Sequence, residues 1–302
     1  MEDVDVIDGN CMGVIQITPD GFDGNDFNGN DSTETSIPTA LMTTSKYSLY
    51  YNMKQQKPGM VYIFNHQKFK TDSCPERHGT DKDLEKIGRC FRYLNFDVFK
   101  FQDLKLSEVE EHIKIAVNTD HTNYDCFVMV ILTHGDVDIL WAKDTSYDSH
   151  KVIFDQFSAD KCPTLAGKPK LFFIQACQGK GLDSGIILQD QTLTRTETDG
   201  IRTSYKIPTL ADFLIMYATS RGQYAFRNGG DGSYFITTLC DQLMSNAHQE
   251  NLLIILTKVI QKVAVDFESR CNDVSLNHKK QTPYFQSSLT RLVVFSKQNE
   301  KK

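Results

Sequence analysis

The run "KPKLFFIQACQGKG", residues 168–181, decides how this chain is read. Lys170 to Gln175 is a short, mostly apolar stretch, the pattern of a strand buried on both faces. The "ACQGKG" that follows is a turn of small residues holding one cysteine, Cys177. A free cysteine is usually a small buried hydrophobe. Reading Cys177 as a nucleophile therefore needs support from elsewhere in the chain.

Five further apolar runs surround it: "MVYIF" (60–64), "VFKF" (98–101), "CFVMVIL" (126–132), "FLIMYAT" (213–219) and "LVVF" (292–295). All but the weaker "VFKF" read as strands buried on both faces. Helical patterns lie between them. "DKDLEKIGRCFRYL" places Leu84, Ile87, Phe91 and Leu94 on one face. "SEVEEHIKIAV" opens on a capping box of Ser107 and Glu110, and "SYFITTLCDQLM" and "NLLIILTKVIQKVAVDFES" are two more amphipathic stretches. Such alternation predicts a three-layer α/β domain.

Composition narrows the class. The 302 residues are 40% hydrophobic and 24% charged, ordinary for a globular chain. No apolar run approaches the roughly 20 residues that span a bilayer, and no basic stripe points to nucleic acid. The start, "MEDVDVIDGN", is too acidic for a signal peptide. The eight cysteines are scattered singly, which predicts neither a zinc site nor a disulfide framework and suits the cytoplasm. The net charge of −6 is uneven. Residues 1–45 hold nine Asp/Glu and no Lys or Arg, whereas the rest carries 33 basic and 30 acidic side chains. Rich in Gly, Asn, Asp, Ser and Thr, this tail is expected to be disordered. A second irregular segment, 182–208, interrupts the α/β rhythm, as functional or disordered loops do.

Active sites of open α/β sheets form beyond the carboxyl ends of strands. "VMVILTHGD" delivers His134 and Gly135 there, and "LFFIQACQG" delivers Cys177. If the two strands are neighbours, imidazole and thiol meet above the sheet, outside the core. A thiol of ordinary pKa is only a few per cent thiolate at neutral pH. A nearby imidazole can activate it and later protonate a leaving amine. The backbones of Gly135 and Cys177 are the natural oxyanion donors.

"IQACQG", with His134 lying 43 residues before Cys177, resembles the caspase signature. "ERHGTDKD", "ILTHGD", "LAGKPKLFFIQACQG", "KIPTLADFLIMYAT", "FRNGGDGSYF" and "VAVDFES" resemble successive caspase blocks in family order, over roughly residues 50–297. The likeness is strongest to executioner caspases of the insect kind. It implies a central, mainly parallel six-stranded sheet flanked by helices, no cofactor or metal, and a dimer of large-plus-small units. It also implies an aspartate-binding pocket made by Arg77, Gln175 and Arg227, with the Pro75 carbonyl orienting His134. Guanidinium groups suit a carboxylate because they bind it through paired charge-assisted hydrogen bonds.

The chain departs from the family at Phe226 and Tyr234, where tryptophan is usual. Tyr224, Phe226 and Tyr234 still offer an aromatic groove, and Asn228 could bind an acidic residue upstream of the substrate aspartate. "SRCNDVSLNHKK" (269–280), which would close that far pocket, is unlike the common family sequence. Asp199, in "TETDG", is the expected activation cut. It would divide the chain into an acidic prodomain (1–45), a large subunit (46–199) and a small subunit (200–302). The short polar tail favours an executioner activated by an upstream initiator caspase, and Asp23, three residues after Asp20, is expected to be cut later. Expected partners are proteins with exposed aspartate sites, not nucleic acid or membrane. Two alternatives compete: a catalytically weak caspase homologue serving as a regulatory binding partner, and an unrelated nucleotide-binding or hydrolase domain. Against the latter, no phosphate-binding glycine motif follows any strand.

Overall fold

The computed structural model describes residues 5–7, 44–71, 74–185 and 208–296. In chain order its elements are β1 (Asp5–Ile7), β2 (Lys57–Asn65), α1 (Thr80–Tyr93), β3 (Asp97–Gln102), α2 (Leu106–Asn118) and β4 (Tyr124–Leu132). A small hairpin sheet follows, made of β5 (Gly135–Asp136), β6 (Ile139–Trp141) and β7 (Ser146–Asp148), with α3 (Ser149–Val152) after it. Then come β8 (Lys170–Gln175), β9 (Phe213–Tyr217), β10 (Phe226–Asn228), α4 (Tyr234–Asn246), α5 (Leu252–Asp266) and β11 (Tyr284–Ser287).

Six strands form the central sheet in the order β11-β9-β8-β4-β2-β3. Every neighbouring pair is parallel except β11 against β9. The three layers follow from the two-residue period of a strand. In β4, Val128, Val130 and Leu132 point to one core, with Ile87 and Phe91 of α1, Leu239 of α4 and Leu256 of α5. Phe127, Met129 and Ile131 point to the other, with Val109 and Ile113 of α2. Among the described residues no helix is long and apolar enough to cross a membrane.

Four features differ from the sequence expectation. The sixth strand is Tyr284–Ser287, not "LVVF". Val293 and Phe295 are buried in the core, but their main-chain bonds go to the ends of α5 and α4: Leu252 N–H to Val293 O, and Phe295 N–H to Ala247 O. Leu292 makes only an isolated parallel bridge to Tyr50, so burial beneath the helix ends, not a sheet ladder, gave that run its strand-like pattern. Helix α2 starts earlier than the Ser107 box, since Glu108 accepts the Lys105 N–H at 2.7 Å. Cys74 is disulfide-bonded, while Cys90, Cys126, Cys162, Cys177, Cys240 and Cys271 are free. Finally, Asp5–Ile7 of the acidic tail forms a strand, paired with β10.

Candidate active site

Strands β4 and β8 are parallel neighbours, and Leu132 stands opposite Gln175. The second residue beyond each strand end is the reactive one, so His134 and Cys177 emerge level with each other. The Thr133 N–H continues the pairing by donating to Gln175 O at 3.1 Å. Gly135 is held close to the same turn. A Cβ there would meet the Cys177 carbonyl oxygen at 2.9 Å and Ala176 Cβ at 3.0 Å. Glycine is what lets the two main chains approach.

His134 is buried, with Nε2 2.8 Å from the Pro75 carbonyl oxygen. A carbonyl can only accept, so Nε2 carries the proton and Nδ1 keeps its lone pair. Nδ1 has no hydrogen-bond partner among the described residues. The Phe69 ring, 4.8 Å away between centroids, covers the imidazole. Burial and the Arg77 charge lower its pKa to about 3, against the opposing pull of the Pro75 bond. The ring is therefore neutral at physiological pH and can accept a proton.

Cys177 is fully buried and belongs to the core that α1, α4 and α5 cover. This corrects the expectation that it stands outside the core. The cause is the segment entering β10, where the Ala225 N–H donates to Cys177 Sγ at 3.1 Å. Burial pushes the thiol up to about 12, although the Ala225 N–H and the Arg77 charge pull the other way. At neutral pH the thiol is therefore protonated in this arrangement.

Arg77 and Arg227 are both buried. Arg77 Nη1 donates to His66 O at 3.0 Å and to Thr80 Oγ1 at 2.9 Å, and Thr80 Oγ1 donates to Asn65 Oδ1 at 2.6 Å. Arg227 Nε donates to His78 O at 2.8 Å. The loop that carries one arginine thus buttresses the other. Gly79 closes this loop at φ +85°, and a Cβ there would lie 2.4 Å from Asn228 O. Gln175 Nε2 makes a long contact, 3.5 Å, to Phe226 O. The structure therefore gathers Arg77, Gln175 and Arg227 around β10, beside the thiol. Burial lowers both arginine pKa values to about 9, so both stay cationic at neutral pH.

Asp83 was not singled out in the sequence reading. It is fully buried on α1, accepts the Ser233 N–H at 2.7 Å and places its negative charge near Arg77. Burial raises its carboxyl to about 6, outweighing its attraction to Arg77. Its position one helical turn before Ile87, on the apolar face, was the available signal.

The aromatic residues take unequal roles. Phe226 is buried in the core and Tyr234 is half-buried at the start of α4, and both rings lie 5.7 Å from Phe267. Phe267 itself was not foreseen. Tyr224 is half-buried, with its N–H on Gly181 O. Asn228 Oδ1 accepts the Gly230 and Asp231 N–H groups, and its Nδ2 lies 3.4 Å from Asp5 Oδ1. A cavity of about 670 Å³ connects His134, Pro75 and Arg227 to Asp5–Ile7. Asp199 and Asp23 lie outside the described residues. No cluster of three or more His, Cys, Asp or Glu able to hold a metal occurs among the described residues.

The family model "Caspase domain" matches residues 58–294. Caspase-1 of Spodoptera frugiperda is 44% identical over 286 residues, 94% of this chain and 94% of that protein. Caspase drICE of Drosophila melanogaster is 42% identical, over 89% of this chain and 79% of its own length. The crystal structure of the Spodoptera caspase-1 superposes with a TM-score of 0.79 at 43% identity, covering 86% of this chain and all of that one.

Proposed function

The chain belongs to the caspase family as an executioner-type cysteine endopeptidase of apoptosis, and we propose that Cys177 is its nucleophile and His134 its general base. The observation that carries this is the level ending of β4 and β8, with the Pro75 carbonyl leaving His134 Nδ1 as the basic nitrogen. Nδ1 takes the proton from Sγ as sulfur attacks the scissile carbonyl carbon. The Gly135 and Cys177 N–H groups stabilise the oxyanion. The imidazolium then protonates the leaving amine as the C–N bond breaks. Water, deprotonated by the same nitrogen, hydrolyses the thioester and releases the carboxylate product.

Arg77, Gln175 and Arg227 hold the substrate aspartate. An uncharged side chain there would leave the cations without their ligand, so specificity works largely by rejection. Asn228 reads an acidic residue upstream, and Tyr224 and Tyr234 wall the groove, with Phe226 supporting it from the core.

Activation by an upstream initiator caspase after Asp199 is supported by the sequence. The cut would put Arg77, His134, Gln175 and Cys177 on a large subunit and Arg227 on a small one. Freed loop ends can then reorder around the buried thiol. Removal of the tail after Asp23 by the enzyme itself follows. Six of the described cysteines are free, against the disulfide-bonded Cys74, and these scattered free thiols support action in the cytoplasm.

The catalytic assignment is tested with peptides cut after aspartate. Cys177→Ala and His134→Ala should each lower kcat by about 10³-fold or more, and the double variant should be no worse, because the two act as one unit. Either single variant within tenfold of wild type contradicts it. The order of cutting is read by mass spectrometry of Cys177→Ala chains treated with an initiator caspase. Gly200 should appear as a new amino terminus, and Gly24 should appear first only if the order is wrong.

A further inference from the structure

Strand β1 pairs antiparallel with β10, placing Asp5 opposite Asn228, Val6 opposite Arg227 and Ile7 opposite Phe226. Adding an extended strand to an open sheet edge is a general way to bind a peptide, with main-chain bonds for affinity and alternate side chains for specificity. The side chains here alternate in that manner. Val6 is 42% exposed, whereas Asp5 and Ile7 are half-buried, Ile7 against the core.

Asp5 is gripped on all sides. Its N–H donates to Arg270 O at 2.9 Å and its Oδ2 accepts the Arg270 N–H at 2.9 Å. Its Oδ1 lies 3.4 Å from Asn228 Nδ2, and the Cys271 thiol donates to its carbonyl oxygen at 3.1 Å. Arg270 and Cys271 belong to the "SRCNDVSLNHKK" segment that was expected to close the far pocket. Arg270 acts here through its main chain, which leaves no side-chain pattern to read, and Cys271 through its thiol.

The strand runs from Asn228 toward Ala225, whose N–H touches the Cys177 thiol. It borders the same cavity as His134 and Arg227. In the sequence Ile7 is followed by Asp8 and Gly9. A strand that merely anchored the amino terminus would need neither this direction nor a fully engaged carboxylate.

We propose that Asp5-Val6-Ile7 is a built-in occupant of the substrate groove, docked on β10 as a substrate peptide would be, with Asp5 in the subsite for an upstream acid. Incoming substrates must displace it. The inference rests on the groove assignment made above and adds to it an internal competitor. A groove occupied by its own chain lowers apparent peptide affinity by the fraction of molecules that are open. Any cut that detaches the amino-terminal residues from the domain, after Asp23 for instance, removes the competitor.

The test uses the full chain carrying Cys177→Ala, which cannot process itself, after an initiator caspase has cut it at Asp199 and with its amino-terminal residues shown intact by mass. The Phe226 and Asn228 amides are held by Gln281 Oε1 and Gly232 O, so exchange of the Arg227 amide, opposite Val6, is followed by residue-resolved mass spectrometry, with and without Asp5→Lys and Val6→Pro. The lysine removes the gripped carboxylate, and proline removes a ladder N–H. Exchange is expected to quicken by about tenfold or more in the substituted chain, and a saturating Asp-Val-Ile-Asp peptide should restore protection. Equal exchange in both chains overturns the docked strand while leaving the groove assignment intact. Faster exchange that the peptide cannot reverse shows that β10 is not the peptide-binding edge, and the groove assignment falls with the proposal.

Discussion

Arg77 and Arg227 are the least replaceable side chains of the site, because each is both a buried cation and a structural donor. Arg77 bonds His66 O and Thr80 Oγ1, so the orientation of its guanidinium is set before any substrate arrives. Lysine at this position keeps a charge but loses the planar fork. Arg77→Lys is expected to lower kcat/KM for aspartyl peptides by about 10²-fold or more, since a polar pocket built for one ligand tolerates misfit poorly. A steady-state comparison with wild type checks this, and a loss under fivefold contradicts it. The reactive pair was legible in the sequence because both residues end apolar runs. Asp83 and Arg270 were not. Asp83 acts through a backbone N–H and through its field, and Arg270 through its own N–H and C=O.

Elements explain why a loop before α1 matters to a strand more than a hundred residues later. The His78 carbonyl receives Arg227 Nε, and Gly79 nearly touches the main chain at Asn228. Gly79→Ala forces a Cβ into both a left-handed backbone and the Asn228 carbonyl. It should cost about 1–3 kcal/mol of stability, and should lower kcat/KM for aspartyl peptides more than it lowers the melting temperature would suggest. Thermal unfolding and kinetics on one preparation separate the two effects. Unchanged kinetics would mean that loop and strand are not mechanically joined. Of the six sheet strands, the five with long apolar runs or parallel partners were readable. β11 was not, because an edge strand reading "YFQS" needs only one covered face, whereas "LVVF" is apolar because it packs under helix ends. The short β1 has no apolar pattern of its own and exists through its partner β10.

At the scale of the molecule, buried ionisable groups set opposing pH dependences. His66 and His134 have pKa values lowered by burial to about 4 and about 3. Their contribution to stability is complete above about 6.5, the unfolded value, and is lost as pH falls toward the folded ones. Asp83 and Asp125 run the other way. Burial raises both to about 6, so their contribution is complete below about 4, the unfolded value, and is lost as pH rises through 6. The two pairs largely offset between pH 4 and 6. Replacing His66, whose ring nitrogens have no partners among the described residues, removes one side of this balance. In urea titrations, His66→Phe should show a stability slope between pH 4 and 6.5 that is lower by up to about 1.4 kcal/mol per pH unit. Parallel curves for the two proteins contradict the assignment.

The central claim is that one thiol reacts with the main-chain carbonyl carbon of an aspartate, because three buried side chains hold that residue's carboxylate. The most direct measurement is the rate at which the processed enzyme is labelled by two matched tetrapeptide aldehydes or chloromethyl ketones, one ending in aspartate and the other in asparagine. Labelling should map to Cys177 and favour the aspartyl probe by about 10²-fold or more. Equal rates for the two probes, or label on any other cysteine, would contradict the account.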